Sequence, residues 1–167
     1  MVQSHYAGAN PPNRKARVDV VRVTTSEQQQ FLILSRSIFG QYIHWYGNRS
    51  HECTEGKKEC NGCSRGWPKK FLGYLHVQQF NRETDAFLEL THTACEKLIA
   101  QAHPGKSLRG TQVRLGKTKG GAKGRYLVEV LERVVSDETL MPEKDPLLTL
   151  QFLWHCKNQH SQTDSES

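Results

Sequence analysis

Three cysteines, Cys53, Cys60 and Cys63, fall within eleven residues, and two histidines, His44 and His51, stand just upstream. The surrounding stretch from Gly47 to Pro68 is polar and has too few apolar side chains to order itself by burial. A shared ion would order it. Zinc takes four ligands in a tetrahedron, so the Cys60-Asn-Gly-Cys63 knuckle supplies two, Cys53 a third and one histidine the fourth. His44 is favoured because it ends the apolar-aromatic run Gln41-Tyr-Ile-His-Trp-Tyr46, which reads as a strand aimed at the knuckle. His51 is the alternative, two residues before Cys53, where the chain would have to bend sharply. Gly62 suits the knuckle, since a side chain there would crowd the thiolates. The expected role is a structural zinc, with every coordination position filled by protein.

The chain has five cysteines, an odd number, and Met1 to Arg17 is polar and basic rather than a secretory leader. Reduced thiols and a cytoplasmic setting are therefore expected. Cys95 and Cys156 stand alone in apolar company, as buried inert thiols do.

At 167 residues the chain has room for one cored domain. Mean hydropathy is −0.67, and no apolar run approaches the ~20 residues of a membrane-spanning helix. Charge is asymmetric. Residues 1–131 carry 20 Lys/Arg against 10 Asp/Glu, and residues 132–167 carry 3 against 7, so the body is +10 and the remainder −4. A basic body favours a polyanion, nucleic acid most simply. From Lys106 to Arg125 there are seven basic residues and no acid, ending in the Gly-rich run Gly116-Lys-Thr-Lys-Gly-Gly-Ala-Lys-Gly-Arg125. Gly116-Lys117-Thr118 resembles the end of a P-loop, but the earlier glycine and the strand-to-helix context that such a loop needs are missing.

Three regions are expected: a flexible basic arm at 1–16, one domain at 17–155 with the zinc loop at 47–68, and a disordered polar and acidic tail at 156–167. Within the domain, 17–23 alternates as a half-buried strand, and Phe31 to Leu34 is apolar but of undecided type. Strands follow at 41–46, 70–78 and 85–90. Thr93-x-x-Glu96 reads as a capping box for a helix with Ala94, Leu98, Ile99 and Ala102 on one face. Strands at 111–115 and 125–131 then flank the Gly-rich loop as a hairpin. This order matches a five-stranded OB-like Greek-key barrel with one helix, mainly β, carrying the zinc loop as an insertion.

The ligand set His44, Cys53, Cys60 and Cys63, with the element order over roughly 41–132, resembles the phage-type single-stranded-DNA-binding proteins, the helix-destabilising proteins of T-even phages among them. That resemblance implies an OB barrel, a structural zinc held by one histidine and three cysteines, and single-strand binding in replication, recombination or repair. The acidic Ser161-Gln-Thr-Asp-Ser-Glu-Ser167 end is similar to the tails through which single-strand-binding proteins recruit partners.

Single strands are held when a basic groove follows the phosphates and rings stack on bases, each stack worth ~1–3 kcal/mol. Trp67 and Tyr74 are the expected stacking rings and Phe71 a core ring. Arg65, Lys69, Lys70, Arg114, Lys117, Lys119, Lys123 and Arg125 are the expected phosphate contacts. Five such contacts give a log-log salt slope of about −3.5. DNA and RNA are not distinguished. Oligomeric state is left open and no membrane is expected. The rival reading is a zinc-stabilised protein-binding adaptor using Phe152 and Trp154. An enzyme is disfavoured, because no HExxH, carboxylate cluster or nucleophile-base pair stands at a telling spacing.

Overall fold

The computed structural model describes residues 19–24, 27–56, 59–80, 82, 84–102, 104–119, 125–133 and 136–163, without the side chains of 132, 133 and 155–163. Eight strands and three helices follow one another: β1 (Val20–Arg22), β2 (Gln29–Ile33), β3 (Phe39–Tyr46), β4 (Arg49–Glu52), α1 (Asn61–Ser64), β5 (Lys70–Gln79), β6 (Asp85–Thr91), α2 (His92–Gln101), β7 (Thr111–Lys117), β8 (Tyr126–Arg133) and α3 (Pro146–Thr163). The expected strands and central helix are all present, and Phe31 belongs to a strand.

That strand changes the architecture. β2 pairs with the far half of β5 (Phe31 opposite Gln79, Ile33 opposite Val77) and, on its other edge, with β7. β3 takes the near half of β5, with Ile43 opposite Lys70. The order is β1-β6-β5-β2-β7-β8, with β3 on β5 and β4 on β3. β1 lies parallel to β6 and every other pairing is antiparallel. The sheet is therefore mixed and open, not the closed five-stranded barrel expected. The β7–β8 hairpin is carried by β2 and does not return to β3 or β6.

Both faces of the middle of β5 are covered, so residues 73–77 are all buried and the two-residue alternation disappears. On one face Phe31, Ile33, Leu75, Val77, Leu88, Leu90, Val113 and Leu115 pack under Ala94, Cys95 and Leu98 of α2. The approach is close: a Cβ at Gly73 would lie 2.5 Å from the Cys95 sulfur. Burial pushes the Cys95 thiol up to about 11, which suits an inert core cysteine. On the other face Leu153 and Trp154 of α3 pack on Ile43 and Tyr74. The segment leading into α3 is tied down at Lys144, whose N–H donates to His76 Nδ1 at 3.4 Å and whose ammonium pairs with Asp85 at 2.5 Å, the carboxylate that His76 Nε2 also meets at 2.6 Å.

Several local expectations are corrected. The helix cap is Thr91, whose hydroxyl accepts from the Ala94 N–H, because β6 runs directly into α2. Ile99 is exposed and Cys95 takes its place in the core. Arg109, one of the seven basic residues between Lys106 and Arg125, donates to the carbonyls of Leu34 (2.5 Å) and Met141 (2.9 Å) and pairs with Asp137. The backbone of α3 continues to Thr163, inside the stretch expected to be a disordered tail. The 1–16 arm lies outside the described residues. No helix among them is long and apolar enough to cross a membrane.

The outer edge of β8 is blocked from within. Gln101 of α2 donates to the Val128 carbonyl (2.6 Å) and accepts from the Val130 N–H (3.3 Å), and Lys97 donates to the Tyr126 carbonyl (2.8 Å). An edge so occupied cannot pair with another chain. Gln101→Ala is expected to cost about 1–2 kcal/mol for the two lost hydrogen bonds. It should also increase self-association, read by urea denaturation and light scattering.

Candidate metal centre and basic surfaces

The β3–β4 hairpin sets His44 opposite His51 and leaves Cys53 just beyond the end of β4. The Cys53 N–H donates to the Tyr42 carbonyl at 2.8 Å, which fixes the start of the loop. Cys60 is the N-cap residue of the single-turn α1, and Cys63 lies within that turn. The Trp67 N–H returns to the Gly62 carbonyl at 3.0 Å and closes the knuckle. His44, Cys53, Cys60 and Cys63 come together, with ligand atoms all within 4.8 Å of one another, so the four can hold a metal ion.

The separations are those of ligands around an ion. Cys53 and Cys63 sulfurs are 3.6 Å apart, Cys60 and Cys53 sulfurs 4.0 Å, and Cys63 Sγ lies 3.4 Å from His44 Nε2. His44 Nδ1 sits 3.0 Å from the Trp67 carbonyl and donates to it, which leaves Nε2 bare for the ion. His51 is excluded from the cluster. Its Nε2 approaches the Tyr46 carbonyl at 3.1 Å and its ring lies flat on Tyr46 at 3.5 Å.

The electrostatics suit a bound cation. Backbone N–H groups of Cys63, Thr54 and Gly62 bring the Cys60 thiol down to about 6. Burial, followed by the neighbouring Cys53 and Cys60 sulfurs, pushes Cys63 up to about 12. Three thiolates at this spacing are stable together only when a positive ion compensates them.

Comparisons with known proteins return no match: no family model, no curated protein and no solved structure is similar to this chain. Its residues alone carry the functional reading.

Gly62 is required for a reason different from the expected one. A Cβ there would lie 2.4 Å from the His44 ring atoms Cγ and Cδ2, so the crowding falls on the imidazole. Gly62→Ala must displace a ligand. Metal affinity is expected to fall at least the 10–100-fold typical of a disturbed supporting shell, measured by competition with a chromophoric chelator.

The expected nucleic-acid contacts divide. Arg65, Trp67, Lys69 and Lys70 gather beside the metal cluster. The Arg65 guanidinium lies 5.2 Å from the centre of the Trp67 ring, and that half-buried ring already packs on Tyr46 at 4.1 Å. Lys69 pairs with Glu55 and lies 5.9 Å from the centre of the Tyr42 ring. Tyr74 is a correction: it is fully buried, packs on Phe39 and donates its hydroxyl to Glu89 at 3.1 Å. Its parity on β5 turns it toward α3, and burial raises its pKa. Phe71 packs against the core as expected.

Arg114 lies in β7 and pairs with Glu129 at 2.9 Å. Lys117, Lys119 and Arg125 lie at the other end of the sheet, with the Lys117 ammonium 4.8 Å from the centre of the Tyr126 ring. Lys123 lies outside the described residues. The expected single groove between the zinc loop and the lysine loop is therefore not formed. β3 leads toward the metal cluster past Lys70, the first residue of β5, whereas β2 and β7 carry Lys117 beyond Gln79, its last.

Sequence reading did not single out Tyr42, Phe80 or Arg82. Tyr42 and Trp45 are each 57% exposed on β3 and Phe80 is 52% exposed at the β5–β6 turn. Tyr42 shares strand parity with the buried His44 yet is exposed, packing edge-on against Phe71, and spacing does not encode that.

Proposed function

We propose that this chain is a non-catalytic, largely sequence-independent binder of single-stranded nucleic acid, and that its metal centre is a structural zinc. The donor set supports zinc. Tetrahedral coordination with Zn–S near 2.3 Å and Zn–N near 2.0–2.1 Å implies sulfur-sulfur edges of about 3.8 Å and sulfur-nitrogen edges of about 3.6 Å. Three of the six separations, 3.4–4.0 Å, bracket both values, and all six lie within 4.8 Å.

The observation that carries the binding reading is the pairing of exposed rings with lysines at the metal-pinned end of the sheet. Tyr42 stands beside Lys69. Trp45 extends past Ile43, the register partner of Lys70, and lies on the same face as both. A ring accepts an unstacked base and an ammonium accepts its phosphate. Duplex bases offer no such faces, which favours a single strand. The metal cluster acts by holding β4, α1 and Trp67 in place, so that the β3 end is rigid. Single-strand binding fits replication, recombination or repair in a reducing compartment.

The adaptor reading required Phe152 and Trp154 as an exposed patch. Trp154 is buried against Tyr74 and Ile43 instead.

Fluorescence anisotropy of labelled dT and U oligomers of equal length, titrated with metal-loaded protein at several salt concentrations, tests the proposal. Binding with a log-log slope of about −2 is expected, ~0.7 for each of Arg65, Lys69 and Lys70. Trp45→Ala should weaken it roughly 5- to 150-fold, the equivalent of one ~1–3 kcal/mol stack. No binding at low salt would refute it.

A further inference from the structure

We infer that the protein holds two separate nucleic-acid strands at once, one at each end of its sheet, and so bridges them. The inference rests on the single-strand reading above and extends it with a second site. The first site is the metal-pinned end, with Trp45 and Lys70 on one face of the sheet and Tyr42 and Lys69 on the other. The second lies where the β5–β6 and β7–β8 hairpins turn: Phe80 and Arg82 on one, Lys117, Lys119 and Arg125 on the other. The Phe80 N–H donates to the Gln30 carbonyl, and Gln30 in turn pairs with Arg114 on β7, which places both turns at one end of the sheet. Phe80, Arg82, Lys119 and Arg125 are exposed. The second end therefore repeats the chemistry of the first, an open ring among cations.

Register separates the two sites. Lys70 to Gln79 spans β5, Gln79 is level with Phe31, Gln29 with Leu115, and Lys117 lies two residues further. That is about thirteen strand steps of ~3.3 Å, on the order of 40 Å along the sheet. The path between them is closed. α2 covers one face of β5, while α3 and the His76–Asp85–Lys144 tie cover the other.

The test mixes donor-labelled and acceptor-labelled dT8, which do not pair with each other, and follows energy transfer as metal-loaded protein is added. Transfer should rise and then fall as excess protein separates the strands. The triple variant Arg82→Glu, Lys117→Glu, Lys119→Glu alters only the second end. It should abolish transfer while still binding dT8 in anisotropy with the salt slope of the first end, whose cations are unchanged. Binding of dT8 without transfer in the wild type would overturn the inference and leave the single-strand reading intact. Transfer that persists in the triple variant would also overturn it, because bridging would then come from association of chains. Absence of dT8 binding by the wild type would remove both.

Discussion

Cys60→Ser is expected to empty the metal centre and release residues 59–69 from the sheet while the rest of the fold persists. Cys60 is the ligand whose thiolate the backbone stabilises most, with N–H groups from Cys63, Thr54 and Gly62 converging on it. A serine hydroxyl cannot replace that charge, and the three remaining ligands leave the tetrahedron open. The loss of affinity should greatly exceed the 10–100-fold cost of a disturbed supporting shell. Without the ion, β4 is four residues long and pairs only with Ile43 to Tyr46 of β3, at and past the last residue that β5 holds, and such a short two-stranded extension is marginal in water. Wild-type protein should contain one metal per chain and the variant far less. Hydrogen exchange should show protection lost in 59–69 and retained in β5, β6 and α2. Equal metal content in the two proteins would contradict the ligand assignment.

Trp154→Ala is expected to cost about 3–5 kcal/mol, the range for emptying a buried tryptophan site. Trp154 is 2% exposed and, with Leu153, forms the contact of α3 with Ile43 and Tyr74. Against a total stability of ~5–15 kcal/mol this is a large fraction. Guanidinium denaturation should show it as a lowered midpoint. Metal content should stay at one per chain, because the cluster is built from His44, Cys53, Cys60 and Cys63. The two variants thus separate the halves of the account: one empties the centre and leaves the helix packed, the other weakens helix packing and leaves the centre filled.

The metal ligands were legible because they are local. Cys53, Cys60 and Cys63 lie within one loop, and strand projection was enough to favour His44 over His51. The strands at 41–46, 70–78, 85–90, 111–115 and 125–131 were legible from composition and spacing. Their pairing was not, since it turned on Phe31 to Leu34, a short apolar run whose periodicity fits helix or strand equally. Once that run enters the sheet between β5 and β7, the two basic loops move to opposite ends. Tyr74 was misplaced for a similar reason. Parity showed that it and Phe71 face opposite ways, but both faces of β5 are covered, by elements more than fifteen residues away in sequence. Arg109 was hidden within a basic run, and only tertiary structure shows its guanidinium holding the Leu34 and Met141 carbonyls.

The most direct test of base binding at the metal-pinned end is tryptophan fluorescence during titration with dT12, compared with titration by inorganic polyphosphate of equal charge. Trp45 is the exposed indole, while Trp67 is half-buried and Trp154 buried. Quenching by dT12 that polyphosphate does not reproduce, and that Trp45→Phe removes, is the predicted result. Equal responses to both polyanions, or quenching that survives in Trp45→Phe, would contradict the account.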